Sequence, residues 1–375
     1  MQLRLLEGMH AIPAASWNAL AGKQPFLQHA FLAALEDTGC VGGQTGWQPL
    51  HAVLEDGHGL QAAMPLYAKT HSWGEYVFDW AWADASERAG LPYYPKLLSA
   101  VPFTPVPGNR LMARDDQSRS LLLQGVLAMA GQAGFSGVHC LFPAEAEESS
   151  LAEAGLLCRR GLQFHWLNRG YGDYEDFLAA LTRDKRKKLR QERRKVLDAG
   201  ITVIRKTAGD ITPADWAFFA RCYQQTYLEH RSTPYLNLAF FQRLGSIMDQ
   251  HCLLVLAYQH GQPIAAALNL FDEQRLYGRY WGATCFVPSL HFELCYHQGI
   301  EFAIERGLAV FEGGAQGEHK LARGFEAVET RSWHWLAQPG MAQAVERFLL
   351  REGQGVQHYL GELDERAPFR VMPGA

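Results

Sequence analysis

The sequence lacks several features that would assign a protein class at once. It has no closely spaced cysteine pair, no long apolar run and little net charge. Its 7 cysteines are odd in number and no two are separated by only two residues, which excludes a zinc ribbon and a disulfide framework. No apolar run approaches the roughly 20 residues of a membrane-spanning helix. We therefore expect reduced thiols and no integral membrane contact.

The first 15 residues also lack the apolar segment of a signal peptide, since they include Arg4, Glu7 and His10. We therefore expect a cytoplasmic protein. The net charge of -4 argues against a protein that coats nucleic acid. An apolar content of 48% is enough for a complete core, so wholesale disorder is excluded.

Helix and strand signals recur in similar order along the two halves of the chain. Asp56-Gly57 and His260-Gly261 each lie between two apolar runs and predict hairpins. A helical pattern over residues 174–198 predicts one long helix that ends at Gly200. Each half is typical of a mixed sheet flanked by helices.

The chain length predicts two domains, at about 150 residues per domain. We place an N-terminal half at 1–162, a C-terminal half at 163–340 and a helical tail at 341–375. The fold class that these signals indicate is α/β, with one mixed sheet in each half.

One predicted helix carries a dense positive charge. Residues 183–195 hold nine cationic and two acidic side chains, a net charge of +7, so the rest of the chain carries -11. Leu189 and Val196 keep an apolar stripe that can dock on a core. Such a charge favours a phosphate-bearing partner, a cofactor phosphate, a nucleotide or a tRNA, although a solvated helix face is the alternative. The candidate contacts are Lys187, Lys188 and Arg190.

A strand over residues 275–281 leads into a helix predicted at 289–306. Ser289 is the predicted N-cap, and free N–H groups at a helix start bind anions. His291, in the first turn, is a candidate for acid–base chemistry, with a purely structural histidine as the alternative.

The same helix repeats acidic and imidazole side chains at intervals of four residues. This face could hold a metal, but the usual zinc and di-iron spacings are absent and a partly wet face explains the pattern as well. We therefore predict no metal site. The residues concerned are Glu293, His297, Glu301 and Glu305.

A glycine-rich loop that follows a short strand at 308–311 concentrates polar side chains. It is neither a Walker A loop nor a dinucleotide fingerprint. Glu312 and His319 are candidate bases, and Lys320 and Arg323 are candidates for binding phosphate or carboxylate. Glycine lets a backbone approach a ligand closely, and the backbone candidates are Gly313, Gly314, Gln316 and Gly317.

These segments resemble a bacterial Fem-like family, which is similar to the Fem peptidoglycan aminoacyltransferases and belongs with the acyl-CoA N-acyltransferases, the GNAT superfamily. The resemblance covers nearly the whole chain. The matching segments are 74–79, 93–96, 101–105, 185–190, 279–282, 290–293 and 311–325.

The resemblance implies two GNAT-like halves and transfer of an acyl or aminoacyl group onto an amine. One motif departs from it. GNAT enzymes hold the CoA pyrophosphate with a Gln/Arg-x-x-Gly-x-Gly/Ala turn, and residues 282–289 lack this turn. The donor is therefore either acyl-CoA or an aminoacyl-tRNA, with no tightly bound cofactor, and the acceptor is a small-molecule or peptide amine.

The sequence thus predicts an acyltransferase with a polar centre and an aromatic wall. Glu312 or His319 would be the base, with His291 beside them. Lys320, Arg323 and the loop backbone would hold negative charge. The remaining predicted site residues are Arg279, Tyr280, Trp281, Tyr93 and Phe103.

A non-catalytic protein of the same fold is the alternative from another class. It would bind tRNA or another polyanion through the basic helix over residues 183–195. A hydrolase is disfavoured, because the sequence has no Gly-x-Ser-x-Gly elbow.

Overall fold

The computed structural model of the chain describes residues 1–314, 317–366 and 368–369. Within them the strands are β1 (Gln2–Leu6), β2 (Trp47–Pro49), β3 (His51–Asp56), β4 (Gly59–Met64), β5 (Tyr67–Lys69), β6 (Lys96–Ser99), β7 (Met112–Ala113), β8 (Gly137–Leu141), β9 (Leu157–Leu167), β10 (Ile201–Thr207), β11 (Cys252–Gln259), β12 (Gln262–Phe271), β13 (Arg275–Ala283), β14 (Val310–Glu312) and β15 (Glu326–Leu336).

The α-helices are α1 (Ala14–Ala21), α2 (His29–Asp37), α3 (Trp80–Arg88), α4 (Asp116–Gln132), α5 (Glu148–Glu153), α6 (Tyr174–Ala180), α7 (Arg183–Asp198), α8 (Pro213–Glu229), α9 (Leu238–Ile247), α10 (Leu290–Phe292), α11 (Gln298–Glu305) and α12 (Pro339–Glu365). A π-helical turn, Glu293–His297, joins α10 to α11, and a 3-10 helix, Glu318–Arg323, lies between β14 and β15. Further 3-10 segments are Met9–Ala11, Pro25–Leu27, Glu145–Glu147, Ala208–Asp210 and Asp249–His251. None of the helices in the described ranges is long and apolar enough to cross a bilayer.

The chain forms two compact units, Met1–Gly161 with Glu329–His358, and Leu162–Val328 with Tyr359–Ala375. This division differs from the predicted halves, because the chain returns to the first unit along β15. Residues Ser332–Leu336 of that strand pair with β8. Much of the predicted tail at 341–375 therefore belongs to the first unit as part of α12, while residues 367 and 370–375 lie outside the described part of the chain. The predicted tandem α/β architecture itself is confirmed.

The first unit contains strands of two sheets around one helix. One sheet has the order β1–β3–β4–β7, and the other contributes β15–β8–β6–β5–β2. Leu122 and Val126 of α4 are buried against Met64 of the first sheet and Val138 of the second. This α4 side of the second sheet is apolar, so its charged side chains lie on the opposite face.

The second unit has the strand order β10–β11–β12–β13–β14–β9, in which only β13 and β14 are parallel neighbours. The hairpin predicted at His260-Gly261 is confirmed. Both turn residues have positive φ, 51° and 76°, which matches the twist of the two strands. Leu189 and Val196 of α7 are buried in the core, as their spacing predicts.

The prediction of a single helix over residues 174–198 is wrong, because the helix is interrupted at Leu181 and Thr182. The Thr182 N–H donates to the Pro368 carbonyl at 2.9 Å, and Leu181 forms a β-bridge with Phe369. These contacts with the end of the chain require extended backbone. The basic segment is therefore a helix of its own, α7.

Candidate active site

Strand β13 is paired with β14 only over its first three residues. Their parallel register ends with Tyr277 opposite Glu312, where β14 stops, while β13 continues to Ala283. We call the region beyond this pairing, residues 278–282 of β13 and residues 313–314, the strand opening. Ligands of open α/β sheets bind at the carboxyl ends of strands where neighbouring strands diverge, which makes this opening the candidate active site.

Strand β13 is irregular at the strand opening. Leu268 of β12 faces Tyr280 while Asn269 faces Gly278, so Arg279 is an extra residue in β13. Such a β-bulge re-aims the side chains around it and is frequent beside active sites. It places the predicted site residues Arg279 and Tyr280 at the edge of the opening.

The strand opening has two chemically different sides, because successive residues of a strand project to opposite faces. Phe311 packs against Gly299 of α11, and a Cβ built on Gly313 would lie 3.2 Å from Cδ of Lys320. Lys320 therefore lies on the same face as Phe311, which we call the α11 face. Glu312 projects from the other face, which packs on α8 and which we call the α8 face.

Glu312 is a buried carboxyl group that can titrate near neutral pH. It is 2% exposed, and its Oε1 accepts a hydrogen bond of 2.8 Å from Nη1 of Arg275. Its Oε2 is buried and has no hydrogen-bond partner among the described residues. Burial raises the pKa of Glu312 to about 7, although Arg275 opposes the shift. A carboxyl group of this kind can accept a proton from a substrate at neutral pH.

The raised pKa of Glu312 predicts a measurable dependence of stability on pH. Between pH 4.5 and 7 the unfolded chain loses this proton while the native protein keeps it, so the native state is progressively disfavoured. The stabilisation is complete below pH 4.5 and lost once pH rises through 7. Across this pH range we expect the unfolding free energy of the wild type to fall by about 3 kcal/mol relative to that of Glu312→Gln. Urea unfolding at several pH values measures it, and a difference that does not vary with pH would contradict the assignment.

Two histidines meet on the α11 face of the strand opening. The ring of His291 lies 5.1 Å from Trp281 of β13 and 6.1 Å from His319. Nε2 of His319 shares a hydrogen bond of 2.9 Å with the hydroxyl of Tyr296. Burial lowers the pKa of His291 to about 4 and that of His319 below its usual value. Both imidazoles are therefore neutral at pH 7.

Lys320 is a buried cation beside these histidines. It is 2% exposed, and its Nζ donates to the Gly314 carbonyl at 3.0 Å. Burial lowers the pKa of Lys320 to about 8. The ammonium group is thus charged at pH 7 yet can give up its proton more readily than an exposed lysine.

Arg323 is held by protein side chains in a way that the sequence does not indicate. It is 2% exposed, and its Nη2 donates to Oε1 of Glu192 in α7 at 2.7 Å. Its guanidinium lies 3.4 Å from the ring centre of Phe292. Arg323 therefore already holds a carboxylate of the chain itself, that of Glu192.

The helix that follows β13 begins differently from its prediction. Ser289 occupies the predicted N-cap position, but it has a positive φ of 67° and its side chain makes no capping hydrogen bond. The repeated acidic and imidazole residues are bound to other side chains. Within the described ranges, no group of three or more His, Cys, Asp and Glu side chains is arranged to hold a metal ion. Their partners are Arg193 for Glu293 and Glu301, Tyr174 and Glu192 for His297, and Arg205 for Glu305.

The basic side chains of α7 divide between two surfaces. Lys187, Lys188 and Arg190 are exposed, and Arg190 pairs with the exposed Glu175. Arg193 points the other way, into the second unit. A solvated basic face is therefore present, but it covers only one side of α7.

The other predicted site residues are placed as follows. Tyr280 lies on the α8 face, 5.2 Å from the ring of Tyr223 in α8. Gly314 and Gly317 have positive φ, 83° and 114°, a conformation that favours glycine. The prediction for Gln316 lies outside the described residues. Tyr93 and Phe103 belong to the first unit, where they are 5% and 2% exposed.

The first unit contains a buried charged cluster that local sequence patterns do not predict. Lys96 is fully buried, donates to Oε2 of Glu75 at 2.8 Å and forms a short ion pair with Asp79. The Tyr93 hydroxyl donates to the same Asp79 at 2.6 Å, and the buried Lys69 lies 3.9 Å from Oε1 of Glu75. We call these five residues the Lys96 cluster. In the sequence, the only indication of this cluster is that its two lysines and two acids lie in segments otherwise rich in aromatic residues.

The charges of the Lys96 cluster are set by burial and by the lysine. Although burial opposes ionisation, the Lys96 ammonium lowers the pKa of Asp79 to about 2. Burial raises the pKa of Glu75 to about 7 and lowers that of Lys69 to about 7. Asp79 and Lys96 therefore form the permanent ion pair that fixes the loop between β5 and α3.

The comparisons with known proteins agree with this architecture. A profile of the FemAB-like family, described as peptidoglycan biosynthesis/recognition, matches residues 8–371. No curated protein matches the sequence. The predicted Fem-like resemblance is confirmed.

Three solved structures share the fold at low identity. FemX superposes with a TM-score of 0.54 and 12% identity, covering 92% of this chain and 100% of its own. The C-terminal domain assigned to a lysylphosphatidylglycerol synthetase from Agrobacterium fabrum has a TM-score of 0.53 and 12% identity over 88% of this chain and 93% of that domain. L-PGS from Bacillus licheniformis has a TM-score of 0.51 and 12% identity over 84% and 95%.

Proposed function

This chain belongs to the FemAB-like family, and from that membership we propose that it is an acyltransferase or aminoacyltransferase that moves an acyl group from a phosphate-bearing donor to an amine. One observation supports this proposal most strongly. The strand opening has a titratable carboxyl group on the α8 face and a cation with two neutral imidazoles on the α11 face. Acyl transfer needs a base for the acceptor and a proton source for the leaving group.

The acceptor amine approaches from the α8 face in this proposal. It arrives as an ammonium ion and must lose one proton before it can attack. Oε2 of Glu312 takes that proton, because it is buried, lacks a hydrogen-bond partner among the described residues and belongs to a group whose pKa is about 7. The ion pair with Arg275 keeps the carboxylate available without moving its pKa far from neutrality.

The donor lies on the α11 face. The amine nitrogen forms a bond to the acyl carbon, the bond from that carbon to the donor sulfur or oxygen breaks, and the nitrogen releases its second proton to solvent to give the neutral amide. Lys320 stabilises the charge that develops and gives its proton to the leaving group, which its lowered pKa favours. His319, which is more exposed than Lys320, returns a proton to that lysine from solvent.

The donor is acyl-CoA or an aminoacyl-tRNA, and the acceptor to be tested first is the amine of a peptidoglycan precursor, following the family's description. Residues 282–289 lack the usual CoA pyrophosphate turn, and Ser289 does not cap the next helix. Both observations favour an aminoacyl-tRNA, whose phosphates the exposed cations of α7 can contact.

A thermal-shift series with the intact protein tests the choice of donor. A ligand that binds only the native state raises the melting temperature, by mass action. We expect stabilisation by aminoacyl-tRNA or acyl-CoA and none by free amino acids. If no phosphate-bearing donor stabilises the protein, the proposal fails at its first step.

The exposed face of α7 supports a second candidate, a non-catalytic protein that binds a polyanion. Lys187 and Lys188 are exposed, and neither is needed by the core. For either function we predict that Lys187→Glu with Lys188→Glu weakens tRNA binding and lowers the slope of log K against log salt by about 2. Filter binding at several salt concentrations measures the slope. Glu273→Gln, in the exposed turn before β13, is the control, and an unchanged slope in the double variant would exclude Lys187 and Lys188 as tRNA contacts.

A further inference from the structure

Helix α7 contains one acidic residue whose position contrasts with the basic residues around it. Glu192 is 6% exposed, although it lies among nine cationic side chains of residues 183–195. It accepts hydrogen bonds from Arg323 at 3.1 Å and 2.7 Å, and its Oε2 lies 3.3 Å from Nε2 of His297. A bidentate carboxylate–guanidinium pair is directional as well as strong. The carboxylate of Glu192 is therefore directed into the second unit, toward the candidate active site.

Arg323 joins three elements of that site. Its Nη2 donates to Glu192 of α7, and the face of its guanidinium stacks on Phe292 of α10, the first helix after β13. Its Nη1 donates to the backbone carbonyl of His319 at 2.5 Å. The 3-10 helix that carries both His319 and Lys320 is thus tied to α7 through one guanidinium.

A second ion pair of reversed polarity lies beside the first. Arg193, the next residue of α7, donates to Glu301 of α11 at 2.5 Å and lies 3.2 Å from Glu293 of the π-helical turn. Helix α7 thus contributes Glu192 to an ion pair with the 3-10 helix, and Arg193 to ion pairs with the π-helical turn and α11. Crossed pairs of this kind fix both the distance and the rotation of a helix.

The charge state supports the same role. Although burial disfavours ionisation of Glu192, the contacts with His297 and Arg323 lower its pKa. The carboxylate is therefore ionised at neutral pH, and Arg323 keeps its counter-ion. Loss of Glu192 would leave a buried guanidinium uncompensated.

On the basis of the proposed function, we infer that Glu192 is a positioning residue of the transfer site. It touches no substrate. It holds Arg323, and through Arg323 it places the backbone of His319 and the ring of Phe292, while the opposite side of α7 presents its cations to the phosphates of the donor. One helix thus joins the site that binds the donor to the groups that act on it.

The test separates kcat from KM. For Glu192→Gln we expect kcat to fall about 100-fold, since displacement of catalytic groups by about 1 Å has this effect. KM for the donor should change by less than about threefold, because the exposed cations remain. The double variant Lys187→Glu, Lys188→Glu should instead raise KM for the donor and leave kcat nearly unchanged. Glu192→Asp, which keeps the charge, should recover part of the lost kcat, and Glu273→Gln, at an exposed glutamate, is the control.

Nuclear magnetic resonance gives a second readout that does not depend on activity. With labelled histidine, we expect the His319 ring signal to shift in Glu192→Gln while that of the exposed His260 stays in place. A folded Glu192→Gln protein with unchanged kcat or an unchanged His319 signal would overturn the inference. If the wild type transfers no acyl group at all, the proposed function fails, and the His319 signal still decides the positioning role.

Discussion

Glu312→Gln should reduce acyl transfer by about 100-fold to 10,000-fold, the usual contribution of a general base. Glutamine has nearly the same shape and can still meet Arg275, but it cannot take a proton from the acceptor. The buried Oε2, which has no hydrogen-bond partner among the described residues, is the atom whose function is lost. Steady-state rates at pH 7 and 8 with saturating donor measure the effect.

Two comparisons make this prediction specific. Glu273→Gln, in the exposed turn before β13, should transfer at the wild-type rate. For the wild type, log kcat/KM should rise with pH up to about 7, where Glu312 becomes ionised, and this rise should be absent from Glu312→Gln. A variant that keeps more than about a third of the wild-type rate would show that Glu312 is not the base.

Lys96→Met should destabilise the first unit by about 3–5 kcal/mol, the cost of removing one partner from a buried ion pair. Lys96 is fully buried and holds Glu75 and Asp79 together with the hydroxyl of Ser72 at 2.8 Å. Without it, the carboxylate of Asp79 loses its counter-ion in the interior. Urea unfolding, followed by tryptophan fluorescence, measures the change.

Neutralising the acids should reverse part of this loss. The triple variant Lys96→Met, Glu75→Gln, Asp79→Asn removes the unpaired buried carboxylate that Lys96→Met leaves at Asp79, so it should be more stable than Lys96→Met alone. Lys188→Met, at an exposed lysine, should change stability by less than about 0.5 kcal/mol. A Lys96→Met protein as stable as the wild type would contradict the geometry of the Lys96 cluster.

Local patterns predict much of this fold because many of its elements depend on nearby residues. The turn at His260-Gly261 follows from the backbone freedom of its two residues, and the stripe of Leu189 and Val196 follows from helical periodicity. The interruption at Thr182 could not be predicted in this way. It depends on a hydrogen bond to Pro368, a residue distant in sequence.

The candidate site shows the same limit. The polar loop around His319 and Lys320 is recognisable from its composition, and so is His291 from its place after a strand. Their grouping depends on where the pairing of β13 and β14 ends, which no local pattern specifies. Glu192 is the clearest case. In the sequence it is one acid in a basic helix, and only tertiary packing directs it to Arg323.

The measurement that tests the central claim most directly is detection of the amide product. The protein is incubated with an aminoacyl-tRNA or an acyl-CoA and with a peptidoglycan precursor that bears a free amine. The mass of the acceptor is then measured by mass spectrometry. The account predicts a mass increase of one acyl group with the wild-type protein and at least about a hundredfold less product with Glu312→Gln. No mass increase with any donor, or equal product from both proteins, would contradict it.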